Sequence, residues 1–251
     1  MSIAALGALI PDWPAPPGVL ALCSTREGGV SLGPYASLNL GDHVGDVPAA
    51  VAENRARLQH GLQGARPVFL NQVHATGTIE LDGPDSHRAS ADACFTTHPL
   101  VACTIMVADC LPVLFCNEAG TRVAAAHAGW RGLAAGVLES ALSAFAADDR
   151  VMAWLGPCIG PAAFEVGSEV KAVFEAHSGD AASCFRPAAT EGKWFADLSA
   201  LARRRLQAAG IASVHGNDGT PEWCTVGQPS RFFSHRRDGV SGRFAACVWR
   251  A

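Results

Sequence analysis

The sequence predicts an α/β fold, with α+β as its near variant: a single compact domain in which a mixed sheet is flanked by helices. Three observations carry that expectation. Short apolar runs of strand length recur along the chain, segments of helical periodicity lie between them, and no linker, low-complexity tract or internal repeat divides the 251 residues. The expected domain therefore spans 1–251, a length that one domain can have. With 49% hydrophobic and 17% charged residues, the chain has material for a core and lacks the composition of a disordered segment.

In chain order, the strand expectations are 19–23, 68–73, 101–107, 113–116, 123–126, 151–155 and 244–249, each a short, mainly apolar run. Three helices are expected between them. Pro48 opens 49–62, since proline suits the first helical position. Leu133, Val137, Leu138, Ala141, Leu142 and Phe145 form an apolar stripe over 131–147. In 197–209, Leu198, Leu201 and Leu206 face inward, Arg203 to Arg205 mostly outward, and Gly210 is the stop signal.

A formal charge of −4 and a pI near 6.1 argue against a general nucleic-acid binder, which needs a basic face, and favour small-molecule partners. Residues 1–22 lack the basic start and apolar stretch of an export signal and are interrupted by Pro11, Pro14, Pro16 and Pro17. No run approaches the ~18 apolar residues of a membrane span, so no membrane association and a cytoplasmic location are expected. The nine cysteines include no CxxC pair, which points to reduced thiols, most of them small buried hydrophobes. Nothing in the sequence indicates an oligomeric state.

Chemistry enters at Asp109 and Cys110. The run 101–116 is apolar except for Asp109 near its centre, and a buried carboxylate is costly unless paired or in service. Pro112 cannot donate a ladder hydrogen bond, so Asp109 and Cys110 are placed at a break between two strands. From these residues alone, structural and chemical readings of the pair both stay open. Residues 122–126 then run as a strand into His127-Ala-Gly-Trp-Arg-Gly132, which opens a helix. Strand, glycine turn and helix start present free N–H groups suited to an anion, and Arg131 adds a cation. His74 likewise follows the run 68–73. Two imidazoles and one thiolate at three strand ends suit Zn²⁺, and three protein ligands with an open fourth position is the catalytic arrangement.

Six segments, in order along the chain, carry a resemblance: 25–41 (TREGGVSLGPYASLNLG), 71–74 (NQVH), 108–112 (ADCLP), 127–132 (HAGWRG), 156–160 (GPCIG) and 232–238 (FFSHRRD). On them the sequence resembles the laccase-domain family, known also as the polyphenol oxidase or peptidoglycan editing factor family and described as zinc-dependent purine nucleoside phosphorylases. The resemblance implies a single α/β domain, His74, Cys110 and His127 as zinc ligands, and purine nucleosides and phosphate as partners. It further implies phosphorolysis of adenosine, inosine and methylthioadenosine, with adenosine deamination beside it. One position departs from the pattern: His235 stands where the family commonly has tyrosine.

Arg26, Asn39 and His43, in and beside the glycine-rich loop 26–41, are expected to touch substrate, and Asp109 and Arg131 to support catalysis without binding metal. Cys158 is either a second thiol near the site or a packed turn cysteine. Trp130 and Trp223 can stack a purine or fill the core, and the basic cluster of Arg231, His235, Arg236, Arg237 and Arg243 can face solvent or an anion. Copper oxidation is the rival enzyme class, because His₂Cys sets also occur in blue-copper sites. Against it, the chain has nine histidines and no His-x-His pair of the multicopper kind. A cytidine-type deaminase signature is absent. A structural zinc knuckle would need a fourth ligand, usually from a CxxC pair. Editing of a peptidoglycan precursor stays open as a substrate alternative.

Overall fold

The computed structural model describes residues 7–82 and 89–251; the first six residues of the segment read for an export signal lie outside the described residues. In chain order the elements are β1 (Val19–Cys23), α1 (Pro48–Gly61), β2 (Arg66–Phe69), β3 (Thr78–Glu80), β4 (Ala93–Thr96), β5 (Val101–Val107), β6 (Leu111–Asn117) and β7 (Val123–Ala128). They continue with α2 (Trp130–Ala135), α3 (Val137–Leu142), β8 (Val151–Leu155), β9 (Glu165–Gly167), α4 (Ser168–His177), β10 (Phe185–Pro187) and β11 (Lys193–Ala196). The chain closes with α5 (Leu198–Ala208), β12 (Ser213–Gly216), α6 (His235–Asp238) and β13 (Phe244–Arg250).

The fold is mixed α/β in one domain, but the single mixed sheet expected from sequence is three sheets. They order as β1-β13-β5-β2, β12-β8-β6-β7-β4-β3 and a small β10-β11-β9. Alternation along continuous apolar strands explains the difference. Val101, Cys103, Ile105 and Val107 of β5, with Phe244, Ala246 and Val248 of β13, share one core with Leu114 and Cys116 of β6 and Val123 and Ala125 of β7. The opposite face of the four-stranded sheet, Ala102, Met106, Ala245, Cys247 and Trp249, packs on Leu58 and Leu62 at the end of α1. The opposite face of the six-stranded sheet, Val113, Phe115, Ala124 and Ala126, packs on Leu133, Leu138, Leu201 and Leu206 of the helices. A strand buried on both faces reads as an unbroken apolar run, and such runs do not reveal which of two sheets they join.

Two local expectations also change. The helix expected over 131–147 is split into α2 and α3 at Gly136, whose φ of +105° only glycine adopts without strain. The strand expected over 68–73 ends at Phe69. Beyond it the side-chain amide of Gln72 takes over the pairing, donating to the Met106 carbonyl at 2.8 Å and accepting from the Met106 N–H at 2.9 Å. The break at Asp109 and Cys110 falls between β5 and β6, with Pro112 near the start of β6. Its carbonyl still accepts from the Gly156 N–H at 2.9 Å, so only the donor role is forfeited.

Candidate active site

Val123, Ala125 and His127 point into the layer between the two large sheets, and at His127 the apolar column reaches the layer's open end. There His74, Cys110 and His127 bring their ligand atoms within 4.8 Å of one another. Cys110 Sγ lies 3.7 Å from His74 Nε2, and the two imidazoles meet edge to face with centroids 4.7 Å apart. His127 is buried and belongs to β7, Cys110 is half-buried in the β5–β6 turn, and His74 is exposed. Contrary to the strand-end expectation, His74 sits in a turn with φ +62°. Gly129 passes so close beneath the cluster that a Cβ there would lie 2.9 Å from His74 Cδ2 and 3.0 Å from Cys110 Sγ.

One carboxylate that the sequence reading missed builds this geometry. Asp92 precedes β4 and is wholly buried. Its Oδ1 accepts from His127 Nδ1 at 2.8 Å and from the His74 N–H at 2.9 Å, while Oδ2 accepts from the N–H groups of Ala75 at 2.7 Å and Val73 at 3.2 Å. It thereby holds the turn that carries His74 and fixes the tautomer of His127, whose Nε2 is left to face Cys110. The signal for it lay in the sequence: Ser90-Ala-Asp-Ala-Cys94 is a second apolar run containing one carboxylate.

The charges are strongly coupled. Burial alone would raise the Cys110 thiol, but the charge and hydrogen bonds of His127, with help from His74, bring it down to about 6. Burial alone would lower His127, and the facing thiolate and the Asp92 carboxylate raise it to about 9. For Asp92, burial is outweighed by hydrogen bonds from His127 and from the backbone of Ala75 and His74, so its pKa lies below the usual range. A thiolate and two imidazoles around one point fit a borderline-soft divalent ion, and the donor set is consistent with zinc or copper.

The cluster forms part of the wall of a cavity of about 440 Å³. Gln72, Trp130, Ile159, Phe164 and Leu198 give it apolar and amide surface, and His43, Asp109, His235, Arg236 and Arg243 give it charge and polarity. Of the residues expected to act there, His43 and Asp109 line it. Asp109 has φ +94°, and its oxygens accept from the Thr225 hydroxyl and from the Arg236 N–H, both at 2.6 Å.

Arg26, Asn39 and Arg131 do not line it. Arg26 donates to the carbonyls of Ala36 and Pro229 and lies over the Phe233 ring; Asn39 is buried and joins Gly41, Asp46 and the backbone of Arg243. Arg131 is exposed, with its guanidinium over the Trp130 ring at 4.3 Å from the centroid. Long polar side chains next to a loop serve backbone acceptors as readily as ligands, which sequence cannot distinguish. Cys158 is buried and accepts from Asn217 outside the cavity, and Trp223 packs edge-on against Trp154. The readings of Cys158 as a turn cysteine and Trp223 as core packing therefore hold.

Fold and site together define a one-domain α/β protein with a His₂Cys cluster able to hold a metal ion in the wall of a ligand-sized cavity. Residues 20–251 match the family described as multi-copper polyphenol oxidoreductase laccase, and the chain belongs to that family. It is 53% identical to a purine nucleoside phosphorylase of Pseudomonas aeruginosa over 96% of this chain and 97% of the relative. It is 50% identical to a purine nucleoside phosphorylase of Escherichia coli over 96% and 98%. A crystal structure of a Neisseria meningitidis protein superposes with a TM-score of 0.91 at 48% identity, covering 97% of this chain and 98% of that one. A Geobacillus stearothermophilus protein superposes with a TM-score of 0.83 at 31% identity, covering 94% and 93%.

Proposed function

We propose that this protein is a zinc-dependent purine nucleoside phosphorylase acting on adenosine, inosine and S-methyl-5′-thioadenosine, with adenosine deamination as a second activity. The observation that carries this reading is the meeting of a metal-type triad, an aromatic wall and two guanidinium groups in one cavity, in a chain whose relatives are named for that reaction. A copper oxidase is not favoured, because those relatives are named as phosphorylases.

His74, Cys110 and His127 would hold the zinc, which supplies Lewis acidity and lowers the pKa of a bound water to near 7. Trp130 and Phe164 offer apolar surface to a purine and exclude water from the sugar. In phosphorolysis of adenosine, phosphate forms a bond to the anomeric carbon as the bond from that carbon to the purine nitrogen breaks, giving adenine and ribose 1-phosphate. Asp109, with both oxygens occupied, acts here by orienting: it ties the turn that carries Cys110 to α6 and Thr225. The nine cysteines are free thiols, in keeping with the cytoplasmic location this reading implies. Among the described residues, no helix is long and apolar enough to cross a membrane.

Incubation with adenosine, with and without phosphate, tests the reading. Adenine release should rise with phosphate, and inosine formation should proceed without it. If zinc-loaded protein yields neither product at any phosphate concentration, the nucleoside assignment fails and a cell-wall precursor becomes the leading substrate.

A further inference from the structure

The chain carries a formal charge of −4, yet the cavity inverts that sign: the Arg236 and Arg243 guanidinium groups share its lining with Asp109, the one carboxylate there among the described residues, and the His43 and His235 imidazoles lie beside them. Arg236 lies over Phe164 and donates to the carbonyls of Ala163 and Glu165. The charges of Asp109 and of the Cys110 thiolate both act on Arg243, but the Asp109 oxygens accept from Thr225 and the Arg236 backbone N–H and form no ion pair with either guanidinium.

Arg243 is the better placed cation. It is half-buried at the entry to β13, and its backbone N–H is fixed by Asn39 Oδ1 at 2.8 Å. Its Nη1 is anchored on the carbonyls of Ser241 at 2.9 Å and Gly242 at 3.0 Å. Among the described residues no carboxylate forms an ion pair with it, and none accepts a hydrogen bond from its Nε or Nη2. A guanidinium drawn partly out of water, anchored at one end and free along the other edge, is built to pair with a two-oxygen acceptor.

We propose that Arg243 forms a tetrahedral-oxyanion subsite in the cavity that also holds the triad. The idea rests on the phosphorylase reading and deepens it, by placing the anion on Arg243 rather than on the exposed Arg131. The oxyanion has two possible sources with the same chemistry: free inorganic phosphate as co-substrate, or the phosphate of a nucleoside 5′-monophosphate.

Steady-state kinetics of the zinc-loaded enzyme, with adenosine and phosphate varied independently, tests it in wild type, Arg243→Gln and Arg243→Lys. Loss of a charge-assisted bidentate pair should raise KM for phosphate about 10- to 100-fold in Arg243→Gln, with the adenosine KM changed less than about threefold. Arg243→Lys, which keeps the charge without the fork, should fall between. Zinc content and thermal unfolding identify a variant that is merely misfolded, in which case the lysine variant decides. Equal loss for both substrates, or an unchanged phosphate KM, overturns the subsite while leaving the phosphorylase reading intact.

If wild type shows no phosphate-dependent turnover, the phosphorylase reading has failed, and calorimetric titration with phosphate and with adenosine 5′-monophosphate judges the subsite separately. Binding of the monophosphate that Arg243→Gln weakens by the same factor keeps the subsite, with the ester as its source. No difference between wild type and variant for either anion removes it.

Discussion

Asp92 and Asn54 are both buried polar side chains that fasten an irregular segment, and they do so with opposite results. Asp92 only accepts: its four donors are three backbone N–H groups and one imidazole, and the other nitrogen of that imidazole is left facing Cys110. Asn54, from α1, accepts from the Val30 N–H at 2.9 Å and donates to Ser31 Oγ and to the carbonyls of Ser37 and Asn39. Loop 26–41 is thus closed largely upon its own backbone, whereas the triad is held with its ligand atoms converging on one another. A carboxylate clamp presents ligands; an amide clamp makes scaffold.

The largest expected effect lies on the triad side. Cys110→Ala should reduce zinc from about one ion per chain to background and abolish turnover, because the thiolate is the soft ligand of the set. Elemental analysis of purified protein checks it; equal zinc in wild type and variant would remove Cys110 from the ligands.

Asp92→Asn comes next and probes the clamp itself. The amide would turn an NH₂ group toward N–H donors that now share a carboxylate, and the His127 imidazole would lose its negative partner. Zinc affinity measured by chelator competition should drop about 10- to 100-fold. An unchanged affinity would make Asp92 a fold residue like Asn54.

Asn54→Ala supplies the reciprocal result. It strands the Val30 N–H and the Asn39 carbonyl, the Ser37 carbonyl keeping the Ser31 N–H, and should cost about 2 kcal/mol, or roughly 4–8 °C in Tm, with zinc stoichiometry retained. Loss of zinc together with stability would show that the two regions are coupled.

The smallest effect is a proton count. Without metal, the raised His127 favours folding fully below its unfolded value of 6.5, and that contribution is lost as pH rises through about 9. The lowered Cys110 contributes fully above its unfolded value of 9.0, and its share is lost as pH falls through about 6. Between about 6 and 9 the pair is therefore thiolate and imidazolium, and zinc binding must displace the His127 proton. Calorimetric zinc titration at pH 7.5 in buffers of different ionisation enthalpy should show about one proton released from this pair per zinc. No release would mean that His127 is already neutral.

The sequence by itself determined the α/β character, most of the strands, and the triad of His74, Cys110 and His127. Residues able to ligate a metal stand out against apolar runs, and a carboxylate or thiol at a strand break is conspicuous in one dimension. Tertiary structure alone decided the rest. It split the strands between two facing sheets, because alternation within a doubly buried strand leaves no polar face to read. It broke the 131–147 helix at Gly136 and lifted His74 out of its strand into a turn held by Asp92. It also separated Arg243, which lines the cavity, from Arg26 and Arg131, which do not. An arginine's reach exceeds the spacing of neighbouring elements, so where its guanidinium ends is fixed by the acceptors that folding brings near it, and not by its place in the chain.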